Sequence, residues 1–210
     1  MILAAVLTGT TTTAASAAET GTAKAAASGW SCSGEPVPAG YVITAHDRNG
    51  CNGRGSWYQQ PVRDGIWTCS GSPIVSGYVI TGHDKYGCSG IGSWYHKLAR
   101  DGIWTCAGSP IVSGYVITGH DKYGCGGIGS WYHKLARDGI WTCAGSPIVS
   151  GYVVTGHDKY GCGGIGSWYH KLARAGLWVC PTSPVPAGYR ATTYNAYQCS
   201  GLGGRYLERA

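Results

Sequence analysis

Four His-Asp pairs recur at one spacing: His46-Asp47, His83-Asp84, His120-Asp121 and His157-Asp158, each 37 residues after the last. Eleven residues beyond each histidine stands a tryptophan: Trp57, Trp94, Trp131 and Trp168. Imidazole beside carboxylate can move protons, ligate a metal or hydrogen-bond the hydroxyls of a polyol. A flat indole nearby favours the last, because the apolar face of a sugar ring stacks on it while Asp and His take its hydroxyls. Catalysis is the weaker expectation. No serine stands in a nucleophile-elbow context, the repeated unit contains no glutamate partner for Asp84 or Asp101, and catalytic sites are seldom present in four near-copies on one short chain. The reading is therefore no enzyme and no cofactor. No metal site is expected either: Cys-x18-Cys lacks the close ligand pair of zinc sites, and adjacent His and Asp side chains at a strand end diverge.

These residues sit in a larger repetition. Trp-x-Cys opens five units, at Trp30, Trp67, Trp104, Trp141 and Trp178, and a second cysteine follows in each, at Cys51, Cys88, Cys125, Cys162 and Cys199. A fixed period of this length means an array of small units. The spacing divides the chain into repeats 30–66, 67–103, 104–140, 141–177 and a shortened 178–210. A lone unit falls below the roughly 40 residues at which chains need staples or partners to fold. One disulfide per unit, closing an 18-residue loop, contributes about 3 kcal/mol in the chain-entropy model.

Two regular pairing schemes exist. Pairing across units strands Cys32 and Cys199. Pairing within units (Cys32–Cys51, Cys69–Cys88, Cys106–Cys125, Cys143–Cys162 and Cys180–Cys199) leaves no orphan and is the expectation.

Composition points to an all-β chain stabilised by turns and large aromatics: 36 Gly, 15 Tyr, 9 Trp and no Phe, with 12% charged residues. The net charge of +6 is spread one Lys or Arg at a time, which argues against a nucleic-acid surface. Ile2 to Leu7 is an apolar run followed by Ala15-Ser16-Ala17. Residues 1–18 thus read as a signal peptide, although no Lys or Arg precedes the run, and residues 19–29 as a linker. No segment reads as transmembrane. Export and paired cysteines support each other, so the expected location is extracellular.

Within the second unit, Gly77–Gly82 and Ser93–Ala99 read as strands, Asp84 to Gly87 as a turn and Cys88–Gly92 as a glycine-rich loop. Asp101-Gly102 is a hairpin signal, which predicts a hairpin across each unit boundary. The fold class expected is an all-β tandem array of five disulfide-stapled hairpin units, an open stack rather than a propeller-like ring. The divergent first and fifth copies serve as caps.

The opening tryptophans, on the same strand face as the first cysteines, are expected in the core. The fifth copy carries Arg190 where the others have valine and Arg205 where they have Trp57, Trp94, Trp131 and Trp168. Arginine rarely replaces a buried residue. Strand alternation then predicts that Val79, Thr81 and His83 share an outer face, as do Trp94 and His96.

The function expected is secreted, multivalent binding of polysaccharide or cell-surface glycan through the Trp, His and Asp sets. Several weak sites on one array gain by effective concentration. Two other roles fit the same chain: a structural or surface-coat protein that self-associates through outward aromatics, and a Cys-rich antimicrobial or inhibitory protein. Residues 69–81 (Cys-Ser-Gly-Ser-Pro-Ile-Val-Ser-Gly-Tyr-Val-Ile-Thr) resemble cysteine-bearing units of secreted bacterial proteins. That resemblance implies export and repetition, and nothing about ligand.

Overall fold

The computed structural model describes residues 27–210; the 1–18 signal segment and residues 19–26 of the linker lie outside them. Each unit folds as one three-stranded antiparallel sheet, five sheets in all. Unit one contains β1 (Gly29–Cys32), β2 (Tyr41–Asp47) and β3 (Ser56–Pro61). Unit two contains β4 (Ile66–Cys69), β5 (Tyr78–Asp84) and β6 (Ser93–Leu98), and unit three β7 (Ile103–Cys106), β8 (Tyr115–Asp121) and β9 (Ser130–Leu135). Unit four contains β10 (Ile140–Cys143), β11 (Tyr152–Asp158) and β12 (Ser167–Leu172), and unit five β13 (Trp178–Val179), β14 (Tyr189–Asn195) and β15 (Gly204–Arg209). In every sheet the last strand is central, flanked by the first and second.

All five disulfides close within their units, Cys32–Cys51 through Cys180–Cys199, with Cα atoms 5.2–5.6 Å apart. The second cysteine of each pair is left-handed, with φ between 50° and 53°, a region that side chains with a Cβ rarely enter. The next residue is left-handed too: Ser89 in unit two, Gly126 in unit three. The covalent staple holds this tight turn, and glycine at 126 removes the steric cost that serine bears at 89.

The boundary hairpin predicted at Asp101-Gly102 does not form. β6 pairs with β4 and β5, whereas β7 pairs with β9. Asp101 and Gly102 instead open the next sheet. The Gly102 N–H donates to the His133 carbonyl at 3.0 Å, and Asp101 Oδ1 accepts from the Leu135 N–H at 2.8 Å. The chain end likewise pairs inside unit five, β15 with β13 and β14, rather than with β1 to close a ring.

Units join by a repeated junction. The second strand of each lies against the opening strand of the next. At the last junction Val153 packs with Val179 and Leu207, and Val154 with the Cys180–Cys199 disulfide. A serine from each following unit grips the strand before it: the N–H groups of Ile43, Ile80, Ile117 and Val154 donate at 2.9 Å to Ser72, Ser109, Ser146 and Ser183. Unit one, which follows no other described unit, has Glu35 at that position. Ser109→Ala leaves the Ile80 N–H without its partner and should cost about 1–2 kcal/mol in urea unfolding, while Glu35→Ala should leave the midpoint unmoved.

This junction corrects the reading of the fifth copy. Val42, Val79, Val116 and Val153 are fully buried, at 0% exposure. Arg190 is exposed because no further unit packs on β14 among the described residues, not because the position faces solvent elsewhere. Strict alternation also fails, because a bulge interrupts β5 between Ile80 and Gly82. Val79 stands opposite Lys97 and His83 opposite Trp94, neighbours that project from opposite sides of β6. The extra residue, Thr81, therefore sends Val79 and His83 to different faces.

Candidate functional site

β5 and β6 bring the predicted site residues together. His83 and Trp94 are cross-strand partners with ring centroids 4.3 Å apart. The same contact forms for His46 with Trp57 (4.3 Å), His120 with Trp131 (4.4 Å) and His157 with Trp168 (4.4 Å). The histidines and tryptophans are half-buried and the aspartates exposed. Trp168 also packs against the cluster around the Cys180–Cys199 disulfide of unit five. The tryptophan thus supports both its own histidine and the neighbouring unit. Arg205 takes its place in unit five, on which no further unit packs among the described residues.

Each aspartate shapes its turn. Oδ1 of Asp47, Asp84, Asp121 and Asp158 accepts the N–H two residues on, at 2.9 Å. Asn195 makes the same bond in unit five, so the turn needs the oxygen and not the charge.

The structure reverses two expectations about exposure. His96, expected beside Trp94 on an outer face, is 1% exposed, as are His133 and His170. Their Nε2 atoms lie 3.1 Å from the hydroxyls of Thr68, Thr105 and Thr142. Burial holds all three below the usual histidine range, His170 at about 4. At the same position unit one has Gln59, and unit five has Leu207 packed with Val179. Conversely, the opening tryptophans are not core: Trp30, Trp67, Trp104 and Trp141 are 47–56% exposed. Trp67 does share a face with Cys69, but the indole leans on Tyr95 and over Gly82, while the disulfide is sealed by the preceding unit.

Grooves open where units meet. One, of 490 Å³, is lined by His120, Asp121, Lys122 and Tyr123 of unit three and by Gly163 and Ile165 of unit four. Another, of 350 Å³, is lined by His157, Asp158, Lys159, Tyr160, Ser200 and Leu202. The construction is common to the junctions, since the tight turn of each unit rests on the second strand of the unit before. Ser89 and Ser200 fasten it by donating to the carbonyls of His46 and His157.

The sequence reading missed two contributors to these grooves. Tyr86, Tyr123 and Tyr160 are 74–75% exposed, each with a lysine ammonium 4.7 Å from its ring centroid. Ile128, Ile165 and Leu202 are exposed apolar side chains on the opposite wall. The available signal was an apolar residue isolated between glycines, as in Gly127-Ile128-Gly129. Such a residue has no core to serve.

Among the described residues no group of three or more His, Cys, Asp or Glu is placed to hold a metal ion, and no helix is long and apolar enough to cross a membrane. The five disulfides fit an oxidising, extracellular setting. No protein-family model, curated protein or solved structure matches the chain.

Proposed function

We propose that the chain is a secreted, multivalent binder of polysaccharide or cell-surface glycan, with one site at each of the three junctions that follow units two, three and four. The observation that carries this reading is the junction groove, in which one unit's His-Asp-Lys-Tyr turn faces the next unit's tight turn. The exposed Tyr123 ring offers a stacking face, His120 is held in place by Trp131, and Asp121 and Lys122 supply hydrogen-bonding groups around it. Ile165 closes the apolar wall. The tryptophans act from beneath, by fixing the histidine, rather than as the stacking surface. A shallow open groove binds a small sugar weakly, and three in series hold a polymer through effective concentration.

The test is retention of the oxidised full-length chain on insoluble cellulose, chitin and peptidoglycan. Tyr86→Ala, Tyr123→Ala and Tyr160→Ala together should reduce retention on the bound polymer at least about tenfold with an unchanged thermal midpoint, since these rings contact solvent. Absence of retention on all three polymers, with the chain eluting as a large self-assembled species, would favour the surface-coat role instead.

A further inference from the structure

A second aromatic set lies on the other side of the same sheets. Tyr95 follows Trp94 on β6 and so projects away from the His83–Trp94 pair. Across the strand it meets Trp67, with ring centroids 5.0 Å apart. Two residues on, Lys97 places its ammonium 5.4 Å from the Tyr95 ring centroid. Units three and four repeat the cluster as Trp104–Tyr132–Lys134 and Trp141–Tyr169–Lys171. The three indoles are 47–48% exposed, in a molecule that buries valine and histidine completely. Exposing so large an apolar ring three times over forgoes stability that burial would supply.

The cation is as informative as the rings. Among the described residues the ion pairs are Arg174–Asp138 and Arg190–Glu208; Lys97, Lys134 and Lys171 have no carboxylate partner. The carboxylates that open these sheets, Asp64, Asp101 and Asp138, accept main-chain N–H groups of Leu98, Leu135 and Leu172. The end units lack the cation. Unit one has Gln60, bonded to Thr44, and unit five has Glu208, bonded to Arg190.

We infer that the Trp–Tyr–Lys clusters of the three interior units form a second binding face, for a carboxylate-bearing polysaccharide. The indole takes the apolar face of the sugar ring, and the ammonium, held over the tyrosine by cation–π attraction, takes the carboxylate. Units two to four present the same pairing once per repeat, so the face suits a polymer with a regular charge. This site is separate from the junction groove.

The experiment is affinity electrophoresis and calorimetry of the full-length chain with polygalacturonate and with its methyl-esterified, uncharged form. Polygalacturonate should bind and weaken as salt rises from 20 to 300 mM, chosen to shorten the Debye length well below 10 Å; the ester should bind at least tenfold more weakly. Lys97→Gln, Lys134→Gln and Lys171→Gln together should lower affinity at least tenfold, as should Trp67→Ala, Trp104→Ala and Trp141→Ala, with circular dichroism confirming the fold. Removing the same charge at Arg48, Arg54 and Arg205 should change affinity less than threefold. Equal binding of ester and acid, an equal loss in the arginine variant, or no binding by the parent would overturn the assignment. None of these outcomes touches retention on cellulose or chitin, which carry no carboxylate and report the grooves alone.

Discussion

Acidification should unfold this array through three histidines that its surface does not reveal. His96, His133 and His170 titrate below the usual histidine value because they are buried. The unfolded chain, with histidines near 6.5, binds more protons than the folded one in the interval below that value. The stability they contribute is therefore complete above about pH 6.5 and is lost as pH falls through the folded values, about 4 for His170. A shift of that size is worth about 3 kcal/mol, and about 2 after allowance for solvent screening in so thin a sheet. His96 and His133 act in the same direction.

Unit five supplies the control. Val179 and Leu207 replace the Thr–His pair there and are equally buried. Thr142→Val with His170→Leu should flatten the fall in thermal midpoint between pH 7 and pH 4. Thr142→Val alone should destabilise at neutral pH, because His170 then loses its Nε2 partner while its Nδ1 already has none. An unchanged acid profile in the double variant would remove the histidines from the account.

The second large effect compares one substitution at two equivalent places. Val116→Arg puts an unpaired cation where unit three meets unit four, at a position with no exposure at all. It should cost more than about 3 kcal/mol and release units four and five as a separately melting block. Arg190→Val, at the same repeat position in unit five, removes only a surface pair with Glu208, 3.2 Å apart, and should change stability by less than about 1 kcal/mol. Urea unfolding followed by tryptophan fluorescence separates the two results.

These two predictions mark where the sequence could and could not be read. The 37-residue period and the cysteine spacing carried the unit and the pairing, and composition carried the β class, because each of those is a local property of the chain. The sense of Arg190 was hidden. Among the described residues no unit packs on β14, and only the junction reveals that Val153 is covered by unit five. The bulge at Thr81 was equally hidden, since one inserted residue leaves composition unchanged yet reverses the face of everything beyond it. Asp101-Gly102 misled for a related reason: the same dipeptide serves a hairpin turn or the opening of a fresh sheet, and long-range pairing with β9 decides between them. The His-Asp and Trp sets were found correctly as neighbours. Their surroundings were not, because the groove needs Ile165 and Leu202 from the next unit, 45 residues beyond His120 and His157.

On the proposed reading, equivalent junction grooves act together on one polymer. Retention on the insoluble polysaccharide that binds best should be measured for the parent chain and for variants with one, two and then three of Tyr86, Tyr123 and Tyr160 changed to alanine. A stepwise loss, in which each removal multiplies the last, is expected. Retention that is indifferent to all three tyrosines, or abolished whole by any single one with the fold intact, would show that the grooves do not act in concert.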